Sequence, residues 1–243
     1  MDKASKFVLN RKRLMAENRI INILWYVVEC YSILVKDKVQ YSKDYVRNHT
    51  THAFEDYLKF RLIEDYLIKN KHLLKNKMSA LDKIGFLAET QKEYIDSNDN
   101  KQKPDKIDIY INQLGLKNVW KENDENIYFA IECKRIKTLS DTTDYIKDIE
   151  KFVNRNYMSV RLSFEGQIAF IETASITHFN VSDSINRKLS KKATITTDSS
   201  LVQCRLNPNY EGTYASKHRR NTEKQDPFSI YHLLFDYSKI VID

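Results

Sequence analysis

Chain breakers are scarce here: 243 residues hold four Gly and three Pro. That scarcity argues against a loop-built or disordered chain and for long helices and strands. Three cysteines, Cys30, Cys133 and Cys204, stand far apart, with no CxxC pair and no Cys/His cluster. Neither a disulfide framework nor a zinc knuckle is indicated, and a reducing, cytoplasmic interior is the natural compartment. No glycine-rich phosphate loop occurs, so nucleotide hydrolysis within this chain is not expected. Six histidines are scattered without an HxxxH or HNH-like arrangement, and His232, inside an apolar run, reads as a satisfied core residue. Long apolar runs are missing too. The most apolar stretch, residues 20–35 (IINILWYVVECYSILV), carries Asn22, Glu29 and Ser32. It is too short and too polar to span a bilayer, and it has neither the position nor the cleavage site of a secretion signal. A buried core or interface helix is expected there, and no membrane partner.

The length suffices to bury a substantial core in one domain. Lys and Arg total 40 against 33 Asp and Glu, a net +7. Such an excess suits a polyanionic partner, since clustered cations release counterions from phosphates; it equally suits a basic protein with no such partner.

Residues 1–14 are polar and basic and read as a fraying end or a basic arm. A helix is expected over 14–35. A second helical stretch follows over 50–72, striped by Phe54, Leu58, Leu62 and Tyr66. Residues 84–94 read as a strand or a helix end, and 97–104 as a turn-rich break. In 106–116, Ile107, Ile109 and Ile111 alternate with Asp108 and Tyr110, which is strand periodicity. A polar hairpin connection over 119–126 leads to a strand over 126–136. A helix over 141–157 opens near Ser140 or Asp141, both good N-caps. Residues 165–173 read as a further strand and 182–200 as a surface helix followed by a loop. One more strand is expected near 201–206, and one or two near 231–242. Helices, then strands, then helix and strand describe a mixed α/β protein with a central sheet.

Two strands carry the chemistry. In IYFAIECKR, Ile127, Phe129, Ile131 and Cys133 share one face, while Tyr128, Ala130, Glu132 and Lys134 share the other. An acid and a base thus point the same way from a strand dressed for burial, and Asp108 interrupts an isoleucine run in the same manner. Charges so placed are costly unless they meet a metal, a partner or solvent. Two carboxylates are the hard oxygen ligands that Mg²⁺ or Mn²⁺ takes while keeping waters for chemistry. A lysine beside them positions or deprotonates the attacking water, or stabilises the transition state. The bland alternative is a salt-bridged pair, Glu132 with Lys134, on an exposed sheet face.

Pro104-Asp105, Asp108 and then Glu132-Cys133-Lys134 resemble the signature of the PD-(D/E)xK superfamily of restriction-endonuclease-like enzymes. Asp108 and Glu132 are 24 positions apart. The resemblance covers roughly residues 54–173. It implies a central mixed sheet flanked by helices, with a helix and another strand after the hairpin, matching 140–171. It also implies a metal-dependent endonuclease acting on DNA, with RNA as the alternative substrate, in defence, restriction or repair. Asp108, Glu132 and the Cys133 backbone carbonyl would hold the metal, and Lys134 would orient the water. The family often adds a glutamate from a helix before the sheet: Glu55 is the first candidate and Glu64 the second. Asp105 competes with Asp108 and is read as a residue of the site's mouth.

Two basic clusters, Lys188/Lys191/Lys192 and Lys217/His218/Arg219/Arg220, read either as loops that contact a phosphate backbone or as solvated surface. Arg135 and Lys137 face the same choice, and Phe152 and Tyr157 read as core. Residues 1–50 form an N-terminal helical extension and 51–243 the nuclease domain. The extension, with Trp25, Tyr26 and Tyr31, would serve dimerisation or docking of a separate ATPase or helicase, although core packing explains those aromatics equally. A homodimer would let one chain cut each strand. The competing class is a non-cleaving module that binds nucleic acid or protein through a nuclease-like fold.

Overall fold

A computed structural model describes residues 3–75, 77–78, 83–121, 123, 126–157, 162–222 and 225–243. The protein is mixed α/β, built on an eight-stranded sheet of order β5-β2-β3-β4-β6-β9-β8-β7. β2 (Gly85–Asp96), β3 (Gln102–Asn112) and β4 (Phe129–Ile136) form an antiparallel meander. β6 (Phe164–Ile171) then lies parallel to β4, reached through α5 (Thr142–Asn154) and the short β5 (Arg155–Tyr157), which pairs back onto β2. β9 (Pro227–Asp236) runs parallel to β6. β8 (Thr213–Arg219) and β7 (Thr197–Gln203) close that end in antiparallel register.

Side-chain alternation gives this sheet two apolar faces, and helices cover both. Ile127, Phe129, Ile131 and Cys133 belong to the core beneath α1 (Lys3–Lys36) and α3 (Phe54–Arg61); Tyr128 and Ala130 belong to the opposite one, under α5 and α6 (His178–Leu189). This is the division that period two in the sequence anticipates. Burial on both faces explains the unbroken apolar run. Residues 127–131 are all buried.

α1 starts at Lys3, well before the expected residue 14, although Met1 and Asp2 lie outside the described residues. Its Ile20, Ile23, Leu24, Val27 and Tyr31 are buried in the same core as the strand residues Ile109, Phe129 and Phe235. Tyr31 stacks on Phe235, with ring centroids 4.1 Å apart. Among the described residues no helix is long and apolar enough to cross a membrane. β1 (Tyr41–Ser42) pairs in parallel with β10 (Val241–Ile242), and Ser42 caps α2 (Lys43–His49) by accepting from the Tyr45 amide. The stretch expected to be one helix over 50–72 is α3 followed by a π turn (Leu62–Leu67) and a 3₁₀ turn (Lys71–Leu74).

Elsewhere the expected elements are met in part. The helix after β4 stops at Asn154, so Tyr157 lies on β5, with its side chain outside the described residues. The helix and loop expected over 182–200 are present as α6 and residues 190–196, but α6 starts at His178, buries Val181, Ile185 and Leu189, and the loop ends where β7 begins at Thr197. β8 went unread because TYASKHR carries too few apolar residues to display a period. The polar link over 119–126 opens with α4 (Lys117–Trp120), and residues 122, 124 and 125 lie outside the described residues.

Candidate functional site

The β3–β4 ladder pairs Ile111 with Phe129, Tyr110 with Ala130 and Ile109 with Ile131, and there it ends. Continued by one step it would have joined Asp108 to Glu132. Instead the strands part, while β4 goes on pairing with β6 as far as Ile136. Parting leaves the amides of Cys133 and Arg135 on the β3 side without strand partners, and buried amides are rarely left so. Two carboxylates take the place of the missing strand. Asp108 Oδ2 accepts from the Cys133 amide at 2.8 Å, and Glu55 Oε2 accepts from the Arg135 amide at 2.9 Å. In a strand the N–H and C=O of one residue point to the same side, so the Cys133 carbonyl opens onto this gap as well.

β3 is bent at the same point. Ile109 joins the core beneath α1, but Ile107 joins the core beneath α5, so strict alternation fails across Asp108. Opposite it in β2, Glu89 holds a left-handed φ of 54°, and the ladder skips that pair between Ala88↔Ile109 and Thr90↔Ile107. A non-glycine residue takes this conformation inside a strand only where its surroundings compensate. Here they do so through Lys59, whose ammonium reaches Asp56 Oδ1 at 2.9 Å, Asp108 Oδ1 at 2.9 Å and Glu89 Oε1 at 3.1 Å. Lys59 is fully buried. Burial works against its charge, but Asp108 and Asp56 outweigh it and hold the ammonium above its ordinary range. Glu89 also receives Lys106 at 2.7 Å.

On the other face of β4, Glu132 is 3% exposed and its Oε1 has no hydrogen-bond partner. Burial, then the charges of Asp108 and Asp148, push its carboxyl well above the usual carboxylate range. Lys134 lies between Glu55 at 3.2 Å and Asp148 at 3.4 Å. Burial again opposes the charge, and Asp148 and Glu55 hold it above the ordinary lysine range. Asp148 itself is almost wholly buried, with Lys151 2.6 Å from its Oδ1.

The structure therefore gathers Glu55, Asp108, Glu132 and Lys134 at one end of β4, around the parting of the strands. Glu64 is exposed on the π turn, away from this group. Asp105 is no mouth residue: it is buried at 6% exposure and ion-paired with Arg155 of β5. The salt-bridge alternative also fails, since Lys134 pairs with Glu55 and Asp148 and the sheet face is buried. Sequence reasoning missed Lys59 and Asp148. Both had a signal: Lys59 shares a helix face with Ile63 and Tyr66, and Asp148 lies among Tyr145, Ile149 and Phe152 on the buried stripe of α5. A charge inside an apolar helical stripe marks a place where something must neutralise it.

The basic clusters resolve mostly into structure. Lys188 donates to the carbonyls of Leu139 and Ser140, and Lys192 pairs with Glu150 at 3.1 Å. His218 is buried, Arg219 pairs with Asp198, and Arg220 is buried against Glu165 and two carbonyls. Within each cluster, structural pairing accounts for part of the charge. Arg135 pairs with Glu172 and lies over the Phe54 ring, whereas Lys191, Lys217 and Lys137 are exposed.

Hard oxygen donors and an orphaned buried carboxylate oxygen make the donor chemistry suitable for a divalent cation at Glu132 and Asp108. Among the described residues no group of three His, Cys, Asp or Glu side chains is spaced to hold a metal by itself. Mg²⁺ does not require one, since it often binds one or two carboxylates and completes its shell with waters and substrate phosphates. Compared with protein-family models, curated proteins and solved structures, the chain gives no match. The fold and site define a mixed α/β protein with a buried, carboxylate-rich ion cluster at the split of its central strands.

Proposed function

We propose that this chain is a metal-dependent nuclease that hydrolyses phosphodiester bonds in DNA, with a PD-(D/E)xK-type site formed by Asp108, Glu132, Lys134 and Glu55. The observation that carries the reading is Glu132: a buried carboxyl with an orphaned oxygen, beside two further acids, directly after the apolar run 127–131. A divalent cation would relieve all three charges at once. Asp108, Glu132 and the Cys133 carbonyl would hold it, and the bound ion would supply an activated water and offset charge on the scissile phosphate. The order helix, three-strand meander, crossover helix and parallel strand (α3, β2–β3–β4, α5, β6) supports the same reading, as fold-level analogy.

The chain's own residues divide the remaining work. Asp148 and Glu55 favour the charged form of Lys134, which suits it to stabilise charge developing on the phosphate and to orient the attacking water. Glu55 holds Lys134 and the β4 backbone in place. RNA offers the same phosphodiester chemistry and is the alternative substrate. Work in genome defence, restriction or repair, with a second copy or a separate ATPase or helicase, belongs to this proposal.

One observation favours the rival class, a non-cutting binding module: both oxygens of Asp108 are already engaged, by Lys59 and by the Cys133 amide. The deciding assay compares wild type with Glu132→Ala and Lys134→Ala on plasmid, single-stranded DNA and RNA, in Mg²⁺, Mn²⁺ or EDTA. Metal-dependent cutting lost in both variants supports the nuclease reading. Cutting that survives both substitutions overturns the site, and calorimetry showing no metal uptake favours the binding module.

A further inference from the structure

Lys59 is the least expected residue near the split. A lysine is almost never fully buried unless paired, and here three carboxylates from three elements surround one ammonium. Its three protons meet three oxygens, those of Asp56 on α3, Glu89 on β2 and Asp108 on β3, at 2.9, 3.1 and 2.9 Å. Such an arrangement, a compact cation inside a cage of hard oxygen donors, is what a divalent ion would otherwise require. The cage shares Asp108 with the proposed metal position. Two-metal phosphoryl-transfer sites use a carboxylate in this shared way, with ions about 3.5–4 Å apart.

We propose that the Lys59 ammonium stands in the place of a second metal ion: it orients Asp108 through Oδ1 and limits the site to one divalent cation. The inference rests on the metal-site reading above. Two features of the chain agree with it. Lys59 follows Glu55 by one helical turn, so α3 delivers both the residue that braces Lys134 and the residue that braces Asp108. Glu89 keeps a left-handed backbone inside a strand at the position where its carboxylate meets Lys59. Lys59 touches no substrate position and is a positioning residue.

The test counts ions on the intact chain. Mn²⁺ is titrated by calorimetry, bound Mn²⁺ is counted by electron paramagnetic resonance, and unfolding temperature is followed in EDTA and in Mn²⁺. Wild type is expected to bind one Mn²⁺. Lys59→Met, which empties the cage, is expected to bind two, to unfold at a lower temperature in EDTA, and to be raised by Mn²⁺ more than wild type is. Should Lys59→Met not fold without metal, Lys59→Met/Glu89→Gln removes one repelling acid, keeps Asp56 and Asp108, and is expected to bind two as well.

The outcomes separate the two proposals. One ion in wild type and one in the variants leaves the metal site standing and overturns the role of Lys59. None in wild type and one in the variants overturns the metal site and supports the cage. None in any of them overturns both.

Discussion

At Glu132 the needs of folding and of the proposed chemistry oppose each other, because the carboxyl is buried beside two other acids. Its folded-state pKa is raised, so the native protein binds a proton that the unfolded chain releases once pH exceeds the ordinary carboxylate range. Stability from this residue is therefore lost as pH rises towards the folded value. Glu132→Gln keeps the shape and removes the charge. In EDTA at pH 8 it is expected to unfold at higher urea than wild type, with the gain vanishing near pH 4, while cleavage falls to background. A variant no more stable at pH 8 would mean that the carboxyl is solvated or paired. Lys134→Ala is expected to slow single-turnover cleavage by about 10²- to 10³-fold, the usual cost of removing one preorganised charge at a transition state. Both residues were legible from period two alone. Lys59 and Asp148 showed only as charges inside apolar helical stripes, and the acids and base they meet on β2, β3 and β4 leave no local pattern.

The elements around the split give two further expectations. α2, α3 and the end of β4 enclose a groove of about 410 Å³ lined by Arg47, His52, Phe54, Arg135 and Lys137. It lies next to Glu55 and Lys134 in sequence and continues, through His52, to a wider cleft with Tyr45, Tyr57 and Arg61. Arg47 and Lys137 are exposed, so charge reversal there leaves the core intact. Arg47→Glu and Lys137→Glu are expected to weaken oligonucleotide binding irrespective of sequence. Each should lower the salt dependence of affinity by about one phosphate contact, read by fluorescence anisotropy across salt concentrations. An unchanged slope would remove this groove from the proposed nucleic-acid path.

Across the other core, Tyr145, His232, Ser216, His218 and Thr197 form a buried hydrogen-bonded chain tying α5 to β9, β8 and β7. Burial lowers His218 to about 4 and His232 well below the ordinary value. Below about pH 6.5 the unfolded chain takes up protons that the fold disfavours, so their contribution is full above that pH and falls as pH drops, for His218 through about 4. Urea unfolding at pH 7 and pH 5 should show the acid-side loss. His218→Gln should make it shallower, and an unchanged pH slope would show that the chain does not control it.

On the scale of the whole molecule, α1 decides whether the N-terminal segment is separable. It supplies much of one of the two apolar layers, so removing residues 1–36 is expected to yield insoluble protein. Removing residues 1–10, where Phe7 and Val8 are 68% and 52% exposed, should leave the urea unfolding midpoint unchanged. Leu24→Ala in the fully buried stretch should cost about 2–5 kcal/mol by urea unfolding. A stable, soluble protein lacking residues 1–36 would contradict the packing seen here.

The sequence by itself determined the mixed α/β class, the two-faced burial of β4 and the common direction of Glu132 and Lys134. Each of these is local: apolar period, breaker placement and side-chain alternation act within a few residues. Only the tertiary structure decided that Asp105 is ion-paired rather than at the mouth, that Glu55 and not Glu64 reaches Lys134, and that β8 exists. It alone set Lys59 among three acids. Those outcomes depend on where β3 leaves β4 and on what fills the gap, and such long-range charge pairing leaves no period in the chain.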